Sequence, residues 1–154
     1  MQLKKIFSWA AVFLWMGLIF FLSHQPATAS AELSGEITGF VVDIIRTLAP
    51  GINIDMGFLE YGIRKSAHFL AFFVLGILTI HALGRSGVQG GKAVFTALAI
   101  CGLYAVTDEI HQLFIPGRSG EVTDVLLDTT GAGMGIAMFL LIRRFLRVKG
   151  DGSF

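Results

Sequence analysis

Fourteen residues, Asp108 to Glu121 (DEIHQLFIPGRSGE), separate two apolar runs, and Asp124 and Asp128 follow almost at once. A charge at the centre of a bilayer costs on the order of several kcal/mol, so ionisable groups this dense beside apolar sequence mark function. Three chemistries fit the residue types. Asp108, His111, Asp124 or Asp128, with His68, offer ligands for a divalent metal, although no HExxH-type pattern is present. Alternatively, His68 or His111, oriented by a carboxylate, acts as general base or nucleophile towards a phosphate or acyl group, with Arg118 clamping the anion. In the third reading Arg118, Arg64 and Lys65 pair with the acids and lock the helix ends together, since buried charges are normally paired.

Spacing groups these residues. Arg64 and His68 are four apart and share a helix face. Asp108, His111 and Gln112 lie on one face of a second helix, with Glu109 beside them, and Asp124 and Asp128 on one face of a third. Below the last pair, Gly131, Ala132, Gly133 and Gly135 form a stripe that lets helices approach closely. Between them Ile115-Pro116-Gly117-Arg118-Ser119-Gly120 reads as a sharp turn. Its amides and Arg118 could hold an anion. Ser119 or Thr123 could cap the following helix, and Glu121 suits its first turn.

The elements that must position these groups are membrane helices. The chain has 154 residues, 54% hydrophobic and 15% charged, with 14 Phe. A soluble domain would be about one quarter charged. The length suits one domain over residues 1–154. Apolar runs predict spans at about 6–23, 66–84, 92–112 and 122–143. The first run is longer than the core of a cleaved signal peptide, which favours a retained helix over cleavage near Ala27–Ala31. Cys101 is alone and reads as a small buried hydrophobe. His81, isolated near the inner end of the second span, reads as a packing residue. Basic residues sit at the ends of apolar runs, not in a stripe with aromatics, which argues against a nucleic-acid partner.

Lys4–Lys5, Arg85–Lys92 and Arg143–Lys149 all fall on one side of four spans. The positive-inside rule makes that side the cytoplasm and puts both termini there. Arg46, Arg64, Lys65 and Arg118 are then outside. Between the first two spans, Ser34–Ala49 places Ile37, Phe40, Val41, Ile44, Ile45 and Leu48 on one helical face. It reads as an amphipathic helix on the outer leaflet or capping the bundle, ended by Pro50-Gly51. Ile52–Tyr61 then leads back to the membrane, with a short apolar turn at Met56–Leu59. The expected fold is thus all-α: a four-helix membrane bundle with an outer-side amphipathic segment. Its topology brings His68, His111, Arg118, Asp124 and Asp128 to one outer level.

At these residues the chain resembles the VanZ-like family of bacterial membrane proteins. The matching segments are Phe21-Leu22-Ser23-His24-Gln25-Pro26, Arg64-Lys65-Ser66-Ala67-His68, Asp108 through Arg118, and Asp124-Val125-Leu126-Leu127-Asp128 with Gly131 and Gly135. The resemblance covers nearly the whole chain, loosely between Ala27 and Gly62. It carries over Lys65, His68, Asp108, Glu109, His111, Gln112, Arg118, Asp124 and Asp128 as signature positions. It implies a cell-envelope role, since the founding member is associated with low-level resistance to teicoplanin, which acts on cell-wall precursors at the outer face. It supplies no reaction. The partner expected is a membrane lipid or cell-wall precursor at the outer leaflet, bound or processed.

Overall fold

The computed structural model describes residues 2–49, 51 and 55–151. These form five helices, α1 (Gln2–Ser23), α2 (Ala27–Leu48), α3 (Met56–Arg85), α4 (Gly90–Gln112) and α5 (Val122–Asp151). Four of them, α1, α3, α4 and α5, are long and apolar enough to cross a membrane. In lipid a backbone must satisfy its own hydrogen bonds, so apolar runs of this length become helices. A helix long and apolar enough to cross a membrane covers each expected run. The second starts ten residues early, at Met56, because Asp55 caps it by accepting the Phe58 amide at 3.1 Å. The expected apolar turn at Met56–Leu59 is therefore the first turn of α3. Pro50, and Ile52 to Ile54 of the expected lead-in, lie outside the described residues.

Side-chain bonds fix the helix directions. The Trp9 indole donates to Ser86 Oγ and the Trp15 indole to the Ala71 carbonyl, both at 2.9 Å, so α1 runs antiparallel to α3. The Tyr104 hydroxyl donates to the Met16 carbonyl, and Ser23 reaches Asp108, so α4 runs with α1. Helices α3 and α5 run together in the other direction. They make the most extensive packing in the molecule, and glycine is the reason. A Cβ at Gly76 would strike the Ala132 backbone, at Gly131 the Phe69 carbonyl, and at Gly135 the Phe73 carbonyl. The small-residue stripe is a seam, as expected, except that Gly133 faces Leu98 of α4. Around the seam, Val12, Ile19, Phe72, Leu75, Cys101 and Ala105 form the core. Cys101 is fully buried beside Thr79, and His81 accepts from Arg85 and stacks on Phe139.

This up-and-down arrangement gives the bundle two unlike ends. One gathers the start of α1, the end of α3, the start of α4 and Arg143–Arg144. The other gathers the end of α1, the starts of α3 and α5, the end of α4 and the acidic residues.

Helix α2 lies against α3 at that second end, with its expected amphipathicity turned outward. Leu33, Ile37, Phe40, Ile44 and Leu48 are exposed, while Ser34, Thr38 and Val42 are buried. Polar residues can face the protein because Ser34 and Thr38 bond carbonyls one turn back in α2 itself, at 2.9 and 2.7 Å. Most of the apolar stripe is thus presented away from the bundle, while Leu33 and Ile37 also border a cavity between α1, α2 and α3.

Candidate functional site

The acidic end is built outward from the α3–α5 seam. Parallel helices locked by glycine place Lys65 against Asp124 and His68 against Asp128 at successive turns. Lys65 Nζ makes a close ion pair with Asp124 and a second with Glu121 at 3.5 Å, over the Tyr61 ring. Asp124 is thereby a structural counter-ion. His68 Nδ1 lies 3.7 Å from Asp128 Oδ2, outside hydrogen-bond range. Asp128 is fully buried.

Helix α4 supplies the next layer. Asp108, Glu109 and Gln112 are all buried, and their azimuths assign them different work. Asp108 faces inward: its Oδ2 accepts from Ser23 Oγ at 2.9 Å and from Gln112 Nε2 at 3.0 Å. Glu109 faces α5, where its Oε2 accepts the Glu121 amide at 2.7 Å. This carboxylate satisfies the chain entering α5. Ser119 and Thr123, expected as caps, bond the Glu121 side chain instead.

Arg118 comes from the α4–α5 turn. Gly117, at φ +77° beside the Ala27 side chain, holds a left-handed bend that a side chain would strain. The Ala27 amide donates to the Pro116 carbonyl at 3.2 Å, tying the turn to α2. Arg118 was expected to pair with an acid or an anion. Its Nε donates to the Gln25 carbonyl at 3.0 Å and its Nη1 to Gln112 Oε1 at 3.1 Å. It reaches Asp108 only through Gln112. Burial, and Arg64 nearby, push its guanidinium below its ordinary value.

His111 leaves the expected cluster. Its Nε2 lies 3.1 Å from His24 Nδ1, and its ring stacks on Phe20 with centroids 4.1 Å apart. It faces α1. On a helix it sits about 60° from Asp108, on the side opposite Gln112 and Glu109. Sharing a broad face with Asp108 was insufficient to bring it to His68. Ser23, His24 and Gln25 were missed as site residues. They end the first span at the level of the acidic cluster, so the convergence argument reaches them too.

Two cavities open here. One, of about 110 Å³, is polar and lined by Arg64, Lys65, His68, Gln112, Arg118 and Asp124 among others. The second, of about 350 Å³, runs between α1, α2 and α3 along Ile19, Leu33, Ile37, Ile63 and Ala71. Arg64, His68 and Arg118 line both. Behind His68, three carboxylate oxygens are buried without a hydrogen-bond partner among the described residues: Asp108 Oδ1 and both oxygens of Asp128. One ligand atom from each of His68, Asp108 and Asp128 falls within 4.8 Å of the others. The arrangement can bind an anion with cations on one side, and it holds an imidazole against carboxylates on the other.

No curated protein and no solved structure matches the chain. A family model, VanZ/LLP1, matches residues 7–143, which covers most of every span-length helix and includes every signature residue. The chain belongs to the VanZ/LLP1 family.

Proposed function

We propose that the protein sits in the cell membrane with both termini in the cytoplasm and binds an anionic lipid from the outer leaflet. The observation that carries this reading is the pair of cavities sharing Arg64, His68 and Arg118. A phosphate or carboxylate headgroup fits the polar cavity, and its acyl chain fits the apolar one. Arg64 has no ion pair among the described residues, and Arg118 binds only neutral acceptors. Two guanidinium groups facing one cavity without a carboxylate partner favour an anion between them. The outward apolar stripe of α2 supports a helix in contact with lipid. Teicoplanin resistance would then be indirect, because about 110 Å³ admits a headgroup and not a glycopeptide.

A second reading has its own support. His68 beside unpartnered carboxylates, against a cavity, suits a small membrane hydrolase or transferase acting on a phosphate- or acyl-containing envelope lipid.

The lipid reading is tested by purifying the protein in mild detergent and identifying retained lipid by mass spectrometry. An anionic lipid should be enriched over its membrane abundance, and Arg64→Gln should reduce it about tenfold, the effect of one lost charge-assisted contact. Lipid retained at bulk proportions, or unaffected by Arg64→Gln, would sink the reading.

A further inference from the structure

The unpartnered carboxylate oxygens behind His68, Asp108 Oδ1 and both of Asp128, need an explanation that lipid binding does not provide. Asp128 is 0% exposed and Asp108 2%. Buried carboxylates are ordinarily paired, hydrogen-bonded or bound to metal. Among the described residues neither Asp makes an ion pair with Lys or Arg. Lys65 is committed to Asp124 and Glu121. Arg118 is committed to Gln25 and Gln112. Two adjacent carboxylates, with three bare oxygens, therefore face His68.

We propose that His68, Asp108 and Asp128 bind one first-row divalent cation, Zn²⁺ or Mn²⁺. The spacing agrees with this. Two ligands on a tetrahedral ion with bonds near 2.1 Å sit about 3.4 Å apart. His68 Nδ1 and Asp128 Oδ2 are 3.7 Å apart, too far to hydrogen-bond and close to that value. All three ligand atoms lie within 4.8 Å of one another. The donor set of one imidazole and two carboxylates, without thiolate, suits Zn²⁺ and Mn²⁺. The supporting contacts are those of a ligand shell. Ser23 and Gln112 both donate to Asp108 Oδ2, which aims Oδ1 inward, and such outer partners fix ligand orientation. Three protein ligands leave a coordination position for water or a phosphate oxygen.

This inference does not rest on the lipid reading, and its readout is metal alone. Full-length protein in detergent, stripped with chelator and dialysed, is titrated with Zn²⁺ against a chromophoric chelator and with Mn²⁺ by electron paramagnetic resonance. One Zn²⁺ per chain is expected, displaced by no lipid and competed by Mn²⁺. Asp128→Asn and Asp108→Asn should each weaken binding more than about tenfold, because a lost ligand exceeds the effect of a lost outer partner. His68→Gln carries the same expectation and decides the matter if an Asp variant fails to fold by size-exclusion and thermal scans. Gly39→Ala, on α2 with nothing within 4 Å of the added Cβ, should leave binding unchanged. No binding of either ion by the wild type, equal binding by the folded triad variants, or an equal loss in Gly39→Ala would overturn the site.

Discussion

Replacing Gly135 by Ala adds one methyl group at the tightest part of the α3–α5 seam. That Cβ would lie 2.9 Å from the Phe73 carbonyl carbon and 3.2 Å from its Cα, with the carbonyl oxygen nearer still. The obstacle is backbone, which cannot rotate away as a side chain would. The helices must part by about 1 Å, and overpacking of this kind costs about 1–3 kcal/mol. Alanine returns about 1 kcal/mol of helix propensity relative to glycine. With backbone on the far side the upper part of the range applies, so the net loss is about 1–2 kcal/mol. For a chain of this size that lowers the unfolding midpoint by about 2–8 °C. Gly17→Ala is the matched control. Gly17 has nothing within 4 Å of its would-be Cβ, so the same change should leave the midpoint level or raise it. Tryptophan fluorescence during a thermal scan in detergent reads both. A Gly135→Ala midpoint at or above wild type, or an equal fall for Gly17→Ala, would refute the backbone-contact argument.

Three further outcomes are expected. Arg118→Lys should lower stability by about 1–2 kcal/mol in a detergent thermal scan, because one ammonium cannot serve both the Gln25 carbonyl and Gln112 Oε1 as the planar fork does; an unchanged midpoint would make those two bonds incidental. Glu109→Ala should cost about 1–3 kcal/mol by removing the charged acceptor of the part-buried Glu121 amide, and Glu109→Gln, which keeps an acceptor, should cost less; equal losses would point to packing. Reporter fusions at Gly90 and at the C-terminus should report the cytoplasm and one at Gly117 the opposite side, and any reversal removes the proposed orientation.

The spans were legible because the criterion is local: a run of apolar residues long enough for the bilayer needs no tertiary information. The start of α3 was missed because one cap, Asp55, extended the helix through residues that read as a connector. The face of α2 was recognised, with two directions left open, towards the outer leaflet or over the bundle. An apolar stripe declares that it avoids water, and in a membrane protein both the core and the lipid satisfy it. The site was legible at the resolution of topology: three span ends had to meet at one level. Which residues touch was not legible, because His111, Asp108, Gln112 and Glu109 fan over about 160° of one helix and meet different neighbours. The division between Asp124, neutralised by Lys65, and Asp128, left bare, depends on a one-turn register that only the glycine seam defines.

The parallel pairing of α3 with α5 has a consequence for biogenesis. Lys65 and Asp124 are 59 residues apart in the chain, and the intervening α4 crosses the bundle before α5 is made. At about 5–20 residues per second of synthesis, Lys65 and His68 wait about 3–12 s for their carboxylates. During that interval α3 must enter the bilayer with Lys65 and His68 at its rim, held in the interface by their long or amphipathic side chains. Helix α5 then arrives with Asp124 and Asp128 in its first two turns, and Asp124 meets the Lys65 ammonium already in place. Assembly ordered in this way brings Asp124 to the membrane rim only once its partner Lys65 is there to receive it.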